Sequence, residues 1–134
     1  MVLVSHKYKF IFLKTKKTGG TSVDAFFEKF CLPDEEAENY TAEHSCSQRI
    51  TEAGIIGSRF RGGKAKDDWP NHKPACVVKD LLGNELFAEY TKFTVVRNPW
   101  DKAVSVYHYN NGQKHGDFCS FIRSNMLEKL SDVK

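Results

Sequence analysis

A chain of 134 residues, 40% hydrophobic and 28% charged, can bury one small core and little more. Its net charge of +3 gives no bulk-charge case for nucleic acid, and no apolar stretch reaches the length of a membrane span. The four cysteines, Cys31, Cys46, Cys76 and Cys119, show no C-x-x-C spacing and read as free, mostly buried thiols of a reducing compartment; a zinc site from His44, Cys46, His72 and Cys76 lacks the close ligand pairs that structural zinc needs.

The first predicted element is a strand over Tyr8–Leu13, apolar throughout Phe10-Ile11-Phe12-Leu13. It leads into Lys17-Thr18-Gly19-Gly20-Thr21-Ser22 and a helix over Thr21–Phe30. A strand, a glycine turn and a helix start make an anion site. The first helical N–H groups have no partner within the helix, and the macrodipole favours negative charge there. Glycines let the backbone approach a phosphate closely. Lys17 adds a mobile cation, and Thr18, Thr21 and Ser22 add hydroxyls. This is a phosphate- or sulfate-binding loop, against the plainer reading of a turn with a lysine beside two glycines. The Walker order G-x-x-x-x-G-K-[ST] is absent, since the lysine precedes the glycines. Lys7, Lys9, Lys14 and Lys16 crowd further positive charge near this loop.

Pro33–Glu43 is acidic and reads as a loop, and Ser47–Ala53 as a short helix ending at Gly54. Gly57–Asn71 reads as a glycine-rich loop. Its basic run, Arg59, Arg61, Lys64 and Lys66, is either a solvated surface or one that draws a polyanion. A helix is predicted over Pro74–Leu82, stopped by Gly83, with Asn84 capping a further turn through Tyr90. Phe93-Thr94-Val95-Val96 reads as a buried strand running into Arg97-Asn98-Pro99-Trp100-Asp101-Lys102. Pro99 suits the first turn of a helix continuing to Tyr109. Asp117 caps a last helix that carries Phe118, Phe121, Ile122, Met126, Leu127 and Leu130 on an apolar face. Strands alternating with helices argue for an α/β fold with a parallel sheet, both candidate loops lying at the C-terminal ends of strands.

Lys17-Thr18-Gly19-Gly20-Thr21-Ser22 resembles the K-T-[AG]-G-T-S loop of sulfotransferases, enzymes that use 3′-phosphoadenosine 5′-phosphosulfate (PAPS) as donor. The second motif resembles their R-N-P-[WFY]-D-[RK] segment, which follows a strand and precedes a serine eight positions after the arginine, here Ser105. His72-Lys73-Pro74-Ala75, Leu82-Gly83 and Tyr90-Thr91-Lys92-Phe93 are similar to stretches of bacterial and viral-type members of the carbohydrate-sulfotransferase group. Leu13-Lys14-Thr15-Lys16 resembles a lysine-rich subgroup where many members have H-I-P. The resemblance covers most of Lys9–Tyr109 and is poorest over Pro33–Lys66.

The resemblance implies a P-loop NTPase-like three-layer α/β fold with a small parallel sheet. It implies one sulfotransferase-like domain over residues 1–134, the donor-binding portion of the family fold, short at the C-terminus against members that continue past the second motif. Lys17, Thr18, Gly19, Gly20, Thr21 and Ser22 would hold the 5′-phosphosulfate, with Lys17 stabilising the leaving oxygen. Arg97 and Ser105 would hold the 3′-phosphate, for which a guanidinium fork and a hydroxyl are suited. His72 would be the general base, since imidazole titrates near working pH. A lone histidine is otherwise a structural or surface residue, and His44, His108 and His115 are weaker candidates. No metal is implied. The acceptor would be a small molecule or glycan presenting a hydroxyl or amine. The N-terminus reads as neither leader nor anchor, so a cytoplasmic location is expected. A bare sheet edge makes a homodimer an expected partner arrangement. Two other classes fit the residues: a phosphotransferase on a similar fold, against which the missing Walker order counts, and a nucleotide-binding module without an acceptor site.

Overall fold

The computed structural model describes residues 1–43, 47–59, 68–69, 72–110, 114 and 116–131, with the backbone alone for 125–131. They form two compact units, Met1–Val95 and Val96–Lys134.

The first unit is built on a five-stranded sheet in the order β3-β4-β1-β2-β5. Strands β1 (Val2–Ser5) and β2 (Phe10–Leu13) pair antiparallel, with Val2 opposite Leu13. Strands β3 (Arg49–Thr51) and β4 (Gly54–Ile56) form a hairpin, and β4 lies antiparallel to β1. Among the described strands only β5 (Thr91–Phe93) runs parallel to its neighbour, β2. The expected parallel sheet is therefore a mixed one. The reason is connection length: residues 6–9 and 52–53 are too short for a crossover and allow only antiparallel reversals, whereas residues 14–90, with several helices and the β3–β4 hairpin, separate β2 from β5.

Three other expectations change. Ser47–Ala53 is not a helix; β-branched Ile50, Thr51, Ile55 and Ile56 flank the two-residue turn Glu52-Ala53 and favour the hairpin. The strand predicted at Phe93–Val96 lies two residues earlier. Thr94 leaves the ladder and its hydroxyl donates instead to the Leu13 carbonyl at 2.6 Å. Within the acidic loop, Asp34–Ala37 forms the short helix α2.

Helix α1 (Gly20–Phe27) continues into a 3-10 turn over Glu28–Cys31; α3 spans Ala75–Leu82 and α4 spans Asn84–Glu89. Asn84 is the first residue of α4, and Gly83 holds the cap position. Because successive strand side chains alternate, β1 and β2 feed two cores. Leu3, Phe10 and Phe12 join Cys31, Leu32 and Ile56, covered by Val23, Phe27 and Phe93. The Phe27 ring stands 5.6 Å from Phe10 and 5.2 Å from Phe93. Val2, Val4 and Ile11 pack with Trp69, Val78 and Tyr90, flanked by Leu82 and Phe87. Helices thus cover both faces, which is why these strands read as unbroken apolar runs. Each fully buried aliphatic or aromatic side chain contributes about 1.5–3 kcal/mol.

Arg59 belongs to this interior rather than to a solvated basic surface. It is 6% exposed, and its guanidinium donates to the Glu28 carboxylate and to the Glu43 carbonyl. The Tyr40 hydroxyl donates to the other Glu28 oxygen at 2.7 Å. Arg61, Lys64 and Lys66, with His44, Cys46 and His115, lie outside the described residues. Among the described cysteines Cys31 alone is buried, and burial pushes its thiol up to about 12; Cys76 and Cys119 are exposed, contrary to the mostly buried expectation.

The second unit contains α5 (Pro99–Tyr109) and α6 (Phe118–Ser131). The Tyr107 ring contacts Phe118 at 5.4 Å and Phe121 at 5.2 Å, and its hydroxyl donates to the Gly116 carbonyl at 3.1 Å. Asp117 caps α6 as expected. Its carboxylate accepts the Ser120 N–H at 2.8 Å, which holds that carboxyl below its ordinary value. Among the described residues no helix is long and apolar enough to cross a membrane.

Candidate active site

The first motif occupies the turn between β2 and α1. Lys17 (φ 61°) and Gly19 (φ 76°) both take left-handed backbone conformations and curl the chain into the helix. Gly19 sits at the N-cap of α1, and no side chain caps the helix. That geometry presents the first N–H groups of α1 to an external acceptor. Thr21 and Ser22 lie exposed in the first turn. Thr18 does not. It is 8% exposed, and its hydroxyl is engaged with the Thr15 carbonyl at 3.2 Å and the Thr15 hydroxyl at 3.0 Å. Any ligand contact from Thr18 therefore falls to its backbone N–H.

The parallel β2–β5 pair anchors the start of this loop. Beyond the strand ends two threonines continue the pairing: Thr94 donates to the Leu13 carbonyl, and Thr15 donates to the Val95 carbonyl at 2.8 Å. Backbone ladder and side-chain bonds together fix where residue 14 leaves the sheet.

His72 comes to the same place from the start of α3. It lines an open groove of about 400 Å³ with Leu13, Lys14, Thr15, Lys16, Lys73 and Thr94. Its Nδ1 lies 3.2 Å from the Lys14 carbonyl. A carbonyl only accepts, so Nδ1 carries the proton and Nε2 keeps its lone pair. Partial burial, opposed by the hydrogen bond to the Lys14 carbonyl and aided by the positive charges of the N-terminus, Lys14 and Lys16, holds the imidazole below its ordinary value and favours its neutral form. His72 also has a left-handed backbone, φ 58°. Among the described residues the non-glycine positions with positive φ are Lys9, Lys17 and His72, and two of these are the expected catalytic pair. Such conformations cost roughly 1–3 kcal/mol and persist where the surroundings hold them, commonly at functional sites. Lys17 itself does not line the groove.

Lys14, which the sequence places among the charges near the loop, and Asp24, which sequence reasoning passed over, support the loop. Lys14 Nζ pairs with Asp24 Oδ2 at 2.5 Å, with side chains 8% and 0% exposed, and also donates to Thr21 Oγ1 at 3.2 Å. The available signal was weak: one more lysine in a lysine-rich run, and one aspartate within the apolar stretch Val23-Asp24-Ala25-Phe26-Phe27.

The second motif belongs to the second unit. Asn98 caps α5, its side-chain oxygen accepting the Trp100 N–H at 2.9 Å, and Pro99 occupies the first turn. Arg97 is exposed just before the cap. Ser105 follows Asn98 by seven residues, about two turns, and so lies on the same side of the helix. Among the described residues no group of three His, Cys, Asp or Glu side chains is assembled for a metal.

No solved structure matches this chain. A protein of Archaeoglobus fulgidus described as uncharacterized is 37% identical over 57 residues, which make up 40% of this chain and 48% of that protein. The match therefore spans about half the length of that relative. The sequence model of the sulfotransferase family matches residues 1–132. With both motifs inside a match that runs through nearly the whole sequence, the chain belongs to the sulfotransferase family.

Proposed function

We propose that this protein transfers the sulfuryl group of PAPS to a hydroxyl or amine of a carbohydrate-like acceptor, on a P-loop NTPase-like scaffold. The observation that carries the reading is the uncapped start of α1 beside Lys17, with a neutral, Nδ1-protonated His72 on the adjoining groove. Backbone N–H groups of Gly19 and Gly20 and the hydroxyls of Thr21 and Ser22 bind the 5′-phosphosulfate oxygens. Arg97 and Ser105 take the 3′-phosphate. His72 Nε2 accepts the acceptor's proton as its oxygen or nitrogen bonds to sulfur. The bond from sulfur to the bridging phosphate oxygen breaks, and Lys17 stabilises the charge left on that oxygen in adenosine 3′,5′-bisphosphate. No step requires a metal, and Lys16 and Lys73 give the acceptor groove a positive rim suited to an anionic or heavily hydroxylated substrate.

The test is incubation with PAPS labelled in the sulfuryl group, against a panel of sugars, phenols and amines. Label moving to a hydroxyl-bearing saccharide supports the reading. Saturable PAPS binding with no transfer to any acceptor contradicts the transferase and leaves a nucleotide-binding module.

A further inference from the structure

We propose that Lys14, pinned by Asp24, aims the hydroxyl proton of Thr21 at the anion held by the loop and is a positioning residue of the site; this rests on the sulfotransferase reading above. The Lys14 stem lies across Gly20 so closely that a Cβ at that position would stand 2.8 Å from Lys14 Cγ and 3.1 Å from Cε. Glycine at position 20 thus serves the lysine as well as the ligand. From there Nζ reaches Asp24 Oδ2 at 2.5 Å and Thr21 Oγ1 at 3.2 Å. A threonine hydroxyl has one proton and two lone pairs, whereas an ammonium only donates. The contact therefore occupies a lone pair of Thr21 and leaves its O–H for an outside acceptor. Thr21 is exposed in the first turn of a helix that no side chain caps, where an anion is the favoured acceptor.

Asp24 explains why the lysine stays in place. Its carboxylate is fully buried, and Oδ1 has no partner. Without Lys14 it would stand as an uncompensated negative charge beneath an anion site. A structural ion pair would only cancel that charge. The bond to Thr21 adds orientation, and the two roles differ in sign when the pair is released.

The probe is adenosine 3′,5′-bisphosphate, titrated calorimetrically into the full chain. Asp24→Asn is nearly isosteric and removes a negative charge, so charge alone predicts tighter binding. Positioning predicts the opposite, a loss of roughly 10-fold, the worth of one charge-assisted hydrogen bond. Thr21→Val should cost about the same, and Asp24→Asn should cost nothing further in the Thr21→Val background. Lys14→Met/Asp24→Leu replaces both ions by apolar groups and should reproduce the loss and its dependence on Thr21. Unchanged or tighter binding in Asp24→Asn, or losses that multiply with Thr21→Val, overturns the inference alone. An unmutated protein that does not bind the bisphosphate overturns the sulfotransferase reading, and the inference falls with it.

Discussion

The starts of α1 and α5 look alike in sequence, each a short apolar run, a polar turn and a helix, yet they are finished differently. At α1 the cap position is a left-handed glycine, which offers no side chain to the first turn. At α5 the Asn98 carboxamide accepts the Trp100 N–H, and Pro99 removes one donor altogether. A helix start left open is a site for an external anion. One closed by its own residues has less to offer from the backbone, so recognition there falls to side chains. On the proposed reading the contrast would divide the labour: chemistry around α1, where Lys17 and His72 have left-handed backbone, and donor selection around α5 by Arg97 and Ser105.

The largest effect should come from breaking the chemical half. His72→Ala should lower the rate of sulfuryl transfer roughly 10²–10⁴-fold with donor affinity nearly unchanged. In the unmutated protein the rate should fall at acidic pH, with its inflection below the ordinary histidine value of 6.5, because burial disfavours the charged imidazole. The same sign governs stability. The His72 contribution is present above about 6.5 and is lost as pH falls through the lower folded value. If His72 is only structural, His72→Ala lowers the melting temperature and leaves single-turnover rate per folded molecule intact. Lys17→Ala should reduce kcat roughly 10²–10³-fold while donor Kd moves far less, as expected of a cation that acts on the leaving oxygen. Equal losses in kcat and donor affinity would make Lys17 a ground-state ligand.

Smaller effects sharpen the contrast between the two helix starts. Gly19→Asp places a carboxylate at the open start of α1, and its position has clear space for a side chain. Aspartate tolerates the left-handed conformation, so the fold should survive while bisphosphate affinity falls roughly 10-fold. Asn98→Ala should do the reverse: about 1 kcal/mol of stability lost with the cap, read in a urea titration. A change in donor affinity larger than that would mean that the α5 backbone, too, serves the ligand.

Much of this was legible in the residues, for identifiable reasons. The start of α5 follows from Pro99 in its first turn, and Asp117 announces α6. Apolar Phe10-Ile11-Phe12-Leu13 marks β2 because both of its faces are buried. What escaped depended on distant partners. Val2–Ser5 is a strand only because β2 and β4 flank it. Arg49–Ile56 is a hairpin because β1 offers it an edge, and its short polar–apolar pattern does not exclude a helix. Thr18 reads as a ligand hydroxyl until Thr15 is found beside it. The Lys14–Asp24 and Arg59–Glu28 pairs join residues ten and 31 positions apart, and no local periodicity reports such a pairing.

The most direct test of the account is a calorimetric comparison of adenosine 3′,5′-bisphosphate with adenosine 5′-monophosphate at low ionic strength, in the unmutated protein and in Arg97→Ala. The account predicts tighter binding of the bisphosphate, by about 1.5–3 kcal/mol for the charge-assisted bonds to its 3′-phosphate, and loss of most of that difference in Arg97→Ala. Equal affinities for the two nucleotides in the unmutated protein would contradict it.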